Sequence, residues 1–285
     1  MLKQRIITAL CLIPLVLGAL FFLPLKFFAL LAALVFLLAS REWSGFVSTE
    51  RREWIPLLFC LLLGASLVWL PVEQLWTPDL HPLLMGVLWT AASWWLLGLL
   101  LVLRYPQSAR LWKESIWLKS LFGLVTLIPF FWSMVAIRGY NFYHDSAMGA
   151  WILLFVMGLV WAADSGAYFF GKAFGKHKLA PAVSPGKTIE GLCGGLFTAG
   201  LLAVGVTWFM GFVPAKMATV LLCSLLAVLA SVLGDLTESM FKREAGIKDS
   251  GTLLPGHGGI LDRIDSLTAA LPVFLLSYLL LSQGV

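Results

Sequence analysis

Residues 217–243 read MATVLLCSLLAVLASVLGDLTESMFKR, and the two halves of that stretch decide what kind of protein this is. No charged side chain stands between Lys216 and Asp235. A helix of about 20 apolar residues crosses a hydrocarbon core of about 30 Å, so this run is long enough to span a membrane. From Asp235 onward the character changes. Asp235, Glu238, Ser239 and Lys242 fall at i, i+3, i+4 and i+7, one polar stripe on the end of the same predicted helix. After it, residues 244–265 bring Glu244, Lys248, Asp249, Asp262, Arg263 and Asp265 before the chain turns apolar again.

The rest of the chain is as oily as the first half of that stretch. Apolar residues make up 60% of the 285, charged residues 12%, and the mean hydropathy is +0.92. Soluble domains carry about a quarter charged residues. The apolar runs are continuous rather than alternating, which argues against a β-barrel. The predicted fold is all-α: a polytopic transmembrane protein of about nine spans, near 6–23, 25–39, 55–71, 82–103, 120–137, 149–170, 189–212, 217–237 and 266–283. Residues 6–39 are long for one span and short for two, and Pro24 supplies a break. No small-x-small cleavage pattern follows the amino-terminal run, so it is expected to stay as the first span. Cys11, Cys60, Cys193 and Cys223 are scattered singly, which suits neither a disulfide framework nor a cysteine metal site.

Orientation follows from Lys and Arg, which favour cytoplasmic loops. With the amino terminus inside and nine spans, seventeen of the twenty fall on the cytoplasmic side; Lys26, Arg138 and Lys216 fall outside. Trp43, Trp54, Trp76, Trp112, Trp117 and Trp151 stand near predicted span ends and are expected to anchor at the interface. Almost all the unusual polar residues come after position 160. Residues 1–147 are therefore expected to be amino-terminal transmembrane helices and 148–285 the catalytic region of one integral-membrane unit.

Three clusters can carry chemistry, all at predicted cytoplasmic ends of late spans. Asp164 follows a dozen apolar or small residues, and a carboxylate at such a depth is costly unless paired, solvated or metal-bound. In Ser184-Pro-Gly-Lys187-Thr188-Ile-Glu190-Gly191, Gly-Lys-Thr looks like the tail of a P-loop. The glycine that motif needs is Pro181, and no strand is expected before it. What remains is a turn presenting Lys187 and hydroxyls at a helix start, where anions are favoured. Glycines 191, 194 and 195 suit close helix packing. The third cluster pairs the 235–242 stripe with Asp262, Asp265 and Ser266, which repeat the i, i+3, i+4 spacing. Two such stripes face to face make an oxygen-rich site, suited to Mg²⁺ rather than zinc. Between them, residues 255–259 form a glycine loop whose N–H groups can cradle a phosphate. Acids for a metal, several cations and a glycine loop together describe phosphoryl or nucleotidyl transfer. His257 reads equally as a general base or as a hydrogen-bonded loop anchor.

These residues are also recognisable. Ser239-Met-Phe-Lys242-Arg243, Lys248-Asp249-Ser-Gly and Leu254-Pro-Gly-His257-Gly-Gly-Ile-Leu-Asp262-Arg263-Ile-Asp265 closely resemble the signature of phosphatidate cytidylyltransferases (CDP-diacylglycerol synthases). The 163–172 and 184–191 segments are similar to further motifs of that family; Gly186 stands where members often carry lysine. The specific motifs cover roughly residues 160–270.

The resemblance implies transfer of the cytidylyl group of CTP to phosphatidate, giving CDP-diacylglycerol and pyrophosphate, at a bacterial inner membrane and with the active site facing the cytoplasm. It implies Mg²⁺, optionally with K⁺ beside it, a homodimer, and no nucleic-acid partner. On this reading Asp235 and Asp262, helped by Asp265, hold the metal. Lys242, Arg243, Lys248 and Arg263 neutralise the triphosphate and headgroup, and Asp164, Lys187 and Ser184 complete the pocket. Thr188, Glu238, Ser239, Asp249 and the glycine loop (Gly256, His257, Gly258, Gly259) line the substrate site. Lys119, in another cytoplasmic loop, is expected to tolerate alanine. Two alternatives stay open at this stage. A CTP-dependent lipid kinase of the polyprenol kinase type would transfer the γ-phosphate instead. An ion-coupled transporter would also need membrane carboxylates, although nearer the midplane and in both halves.

Overall fold

A computed structural model of the chain describes residues 2–47, 53–76, 79–253 and 258–282. Helix α1 (Leu2–Phe22) stops two residues before Pro24, and α2 (Leu25–Val47) starts one residue after it, so residues 6–39 belong to two helices. Next come α3 (Trp54–Trp69), α4 (Pro82–Leu103), α5 (Ile116–Gly139) and α6 (Met148–Phe174). Helix α4 opens with Pro82 in its first turn, where a missing N–H costs nothing, and His81 Nδ1 accepts from the N–H of Leu83. Ser115 caps α5 by accepting from Leu118 N–H.

A short antiparallel ribbon follows, β1 (Lys178–Ala180) with β2 (Ser184–Thr188). It was not expected, because three and five residues give no readable alternation. It does not restore a P-loop, since the lysine lies inside the second strand. Helices α7 (Ile189–Phe209), α8 (Pro214–Glu244) and α9 (Leu261–Ser282) complete the described chain. Among the described residues, six helices, α4 through α9, are long and apolar enough to cross a membrane. The all-α polytopic class therefore holds.

Helix α5 is the central post. Leu127, Phe130, Phe131, Trp132, Val135 and Ala136 are fully buried on it. Around it the late helices pair closely. Gly191 and Gly195 of α7 lie so near the Ala167 and Ala163 carbonyls of α6 that an added Cβ would come within 2.9 and 2.7 Å. Thr198 Oγ donates to Ala162 O at 2.8 Å across the same seam. Glycines 191, 194 and 195 thus serve close packing, as their spacing predicts. Helices α8 and α9 meet in the same way, with Gly234 against the carbonyl of Asp265.

The tryptophan expectation needs correcting. Trp117 and Trp151 are exposed, but Trp43 and Trp112 are buried. Both pack on Phe241 of α8, at centroid distances of 5.0 and 4.9 Å. Proximity to a span end does not separate an interfacial ring from a core ring when a third helix covers it. At the opposite end of α5, Arg138 is buried, donates to Ser146 O and Leu23 O, and lies over the Phe28 and Phe142 rings.

Candidate active site

At 1.5 Å per residue the 31-residue α8 is about 46 Å long, well beyond a hydrocarbon core, so its last turns project as a polar extension. There the two predicted stripes do face each other. Lys242 Nζ lies 2.8 Å from Glu238 Oε2 on its own helix and 2.8 Å from Asp262 Oδ1 on α9. Asp262 also accepts from Ser250 N–H at 2.9 Å and from Gly259 N–H at 2.8 Å. Asp265, one turn further on, accepts from Ser266 N–H at 2.7 Å and lies within the fields of Asp235, Glu238 and Lys242. Gly258 sits at φ +83°, a conformation that only glycine adopts freely.

A second group of charges lies beside the first. Lys187 Nζ, on β2, is 2.5 Å from Asp235 Oδ2, and Ser239 Oγ donates to Asp235 Oδ1 at 3.2 Å. Asp164 on α6 feels Asp235, Lys187 and Arg263. Asp164, Lys187 and Asp235 border a cavity of about 490 Å³ between α6, α7, α8 and the ribbon. Its polar rim holds Asp164, Lys172, Lys187 and Asp235; its apolar wall is built from Leu192, Leu196, Val228 and Val232. Asp235 therefore stands where the cavity and the α8–α9 acids meet.

The remaining predicted residues are distributed around this centre. Thr188 caps α7, accepting from Gly191 N–H at 3.1 Å, and so aims the ribbon that carries Lys187. Ser184 opens β2, and Arg243 Nε donates to Val183 O at 3.1 Å, tying the ribbon's turn to α8. Lys248 and Asp249 are exposed in the loop after α8. Gly256 and His257 lie outside the described residues. Gly259 does not present its N–H to an open cradle, because Asp262 takes it. Beside Arg243, the Glu244 carboxylate accepts from Tyr105 Oη at 2.8 Å. Burial first, and that carboxylate second, push the Tyr105 pKa up to about 12.

One residue escaped the sequence reading altogether. Glu42 of α2 accepts from Ile260 N–H at 2.9 Å, Leu261 N–H at 2.7 Å and Ser250 Oγ at 3.0 Å. Its only signal is an Arg41–Glu42 pair closing an apolar helix, which a topology reading assigns to the interface.

The donor set suits a hard cation. Among the described residues Glu238 Oε1 is buried with no hydrogen-bond donor, and its neighbour Asp265 is another acceptor. Two carboxylates in contact need a proton or a cation between them. Among the described residues, no three of His, Cys, Asp and Glu converge as a ready-made cage. That is compatible with Mg²⁺, which takes one or two carboxylates and completes its shell with water and substrate phosphate.

Comparison with known proteins shows the family. Residues 3–281 match the model of the cytidylyltransferase family. A Haemophilus influenzae protein named phosphatidate cytidylyltransferase is 46% identical, over 96% of this chain and 97% of its own. A Pseudomonas aeruginosa protein of the same name is 45% identical over 96% of each chain. A Staphylococcus aureus protein of that name is 40% identical over 61% of this chain and 74% of its own.

Proposed function

The chain belongs to the cytidylyltransferase family, and from that premise we propose that it transfers the cytidylyl group of CTP to phosphatidate, leaving CDP-diacylglycerol in the bilayer and releasing pyrophosphate. The observation that carries this reading is the meeting of a half-apolar, half-charged cavity with a row of acids and cations at Asp235. One substrate of this reaction is a lipid and the other a polyanion, and the site offers each a matching wall.

In this mechanism an ionised phosphate oxygen of phosphatidate attacks the α-phosphorus of CTP. The new O–P bond forms as the bond to the β-phosphate oxygen breaks. A phosphate monoester is largely ionised near neutral pH, so no side chain has to remove a proton from the attacker. Lys187 and Lys172 receive the headgroup at the rim while Leu192, Leu196, Val228 and Val232 accommodate acyl chain. Lys242, held between Glu238 and Asp262, and Arg243, Lys248 and Arg263 balance the triphosphate, with arginine gripping phosphate oxygens two at a time. Asp235 and Asp262 would supply the one or two carboxylates that Mg²⁺ takes, helped by Asp265 beside them, and the ion when bound would neutralise phosphate charge at the reacting centre.

We place the site at the cytoplasmic face of a bacterial inner membrane, on the distribution of Lys and Arg. Nine crossings, a homodimer, K⁺ beside Mg²⁺ and the division at residue 147 are parts of the same proposal. Purified protein incubated with phosphatidate, labelled CTP and Mg²⁺ provides the test. CDP-lipid with pyrophosphate is expected; CDP with a phosphorylated lipid would make the protein a kinase instead.

A further inference from the structure

We propose that Glu42, on α2 in the first half of the chain, is a positioning residue for the reaction: its carboxylate fixes Ser250, Ile260 and the first turn of α9, and thereby sets Asp262 and Asp265. This rests on the reading above that those acids serve the metal and the phosphates.

The first N–H groups of a helix have no partner within it, and its positive end favours an anion. A cap normally comes from the residue just ahead. At α9 it comes from another helix, 218 and 219 positions away in sequence, with one Glu42 oxygen on Ile260 N–H and the other on Leu261 N–H. The same carboxylate takes the Ser250 hydroxyl, while Ser250 N–H goes to Asp262. Gly259 is shared in the same way. Its N–H serves Asp262, and a Cβ placed on it would collide with Glu42 Oε2. A Cβ on Gly251 would stand 2.6 Å from Glu42 Oε1. Ser250, Gly251 and Gly259 to Leu261 close around one carboxylate, and a side chain at either glycine would displace it.

The platform beneath Glu42 also holds α8. Trp43 packs on Phe241 and donates through Nε1 to Lys119 O at 2.9 Å, and Phe46 stacks on Phe241 at 6.3 Å. One helix turn of α2 therefore registers α9, which carries Asp262 and Asp265, against α8, which carries Asp235 and Lys242. Glu42 does not border the cavity, and its oxygens are taken by Ile260 N–H, Leu261 N–H and the Ser250 hydroxyl, so its effect on the reaction runs through the acids that follow on α9.

The experiment compares wild type, Glu42→Ala and Glu42→Gln in detergent by three readings. These are kcat as a function of Mg²⁺, the rise in melting temperature that Mg²⁺ alone produces, and hydrogen exchange of the amides at 258–261. Glu42→Ala is expected to lower kcat and raise the half-saturating Mg²⁺ concentration by about 10–100-fold, as loss of a ligand-orienting partner does elsewhere. It should also blunt the Mg²⁺-induced thermal shift and speed exchange at Ile260 and Leu261, while α5 amides stay protected. Glu42→Gln, which keeps one acceptor, should fall between. An unchanged Mg²⁺ requirement, with kcat falling only as folded protein is lost, would overturn the proposal. If Glu42→Ala does not fold, Glu42→Gln and Ser250→Ala decide by the same Mg²⁺ readings. If wild type makes no CDP-lipid, the functional reading fails, but exchange and thermal shift still judge Glu42.

Discussion

Asp262 accepts from an ammonium and from two backbone N–H groups, so both of its oxygens are engaged before any substrate arrives. Asp262→Asn keeps the shape but turns an NH₂ toward donors and removes the charge that balances Lys242. Turnover should fall by about 10²–10³, the scale seen when a preorganised electrostatic group is removed. Labelled-CTP incorporation measures this, and near-normal rates in folded protein would take Asp262 out of the metal site. Lys119 is not a silent position: its Nζ donates to Val47 O at 2.8 Å, a bond at the end of α2 that Lys119→Ala removes, whereas exposed Lys113 pairs with its neighbour Glu114. The acids on α8 and α9 were legible because helical spacing puts them on one face. Glu42 and Lys119 were not, because their partners are backbone atoms brought close only by folding.

Among the elements, α6 and α7 show how much a seam depends on small residues. An added Cβ at Gly195 would meet the Ala163 carbonyl at 2.7 Å, and backbone cannot move aside as a side-chain tip can. Further along α7, Gly200 is exposed and an added Cβ there meets nothing within 4 Å. Gly195→Ala should therefore destabilise by about 1–3 kcal/mol through overpacking. Gly200→Ala should be neutral or gain up to about 1 kcal/mol from helix propensity. Thermal unfolding of the two variants in one detergent checks the pair. Equal effects would mean that α6 and α7 are not seated through these glycines. Because the ribbon rides on Thr188 at the start of α7, the seam also bears on where Lys187 points. Sequence marked the seam by glycine spacing, yet it marked the ribbon only as a turn. A five-residue strand containing Ser-Pro-Gly carries no periodicity to read.

On the scale of the whole molecule, the two halves divide the work differently from their chemistry. The clusters that can carry chemistry all come after position 160, which makes the first half look like an anchor, yet α2 and α5 supply the post and the clamp around which the acids are set. This architecture fixes which charges must share a side. Lys248, in the loop after α8, lies at the same end of α8 as Asp235 and Lys242; Lys216 lies at its start, with the whole 31-residue helix between. If α8 crosses the bilayer with its charged end in the cytoplasm, the two lysines mark opposite compartments. In a cysteine-free background, Lys216→Cys should react with a membrane-impermeant maleimide added to spheroplasts, and Lys248→Cys only in inverted vesicles. CTP supplied outside inverted vesicles should likewise be used, while CTP outside sealed spheroplasts should not. Labelling of Lys248→Cys from the outer face would reverse the orientation and leave the site where no cytoplasmic CTP reaches it.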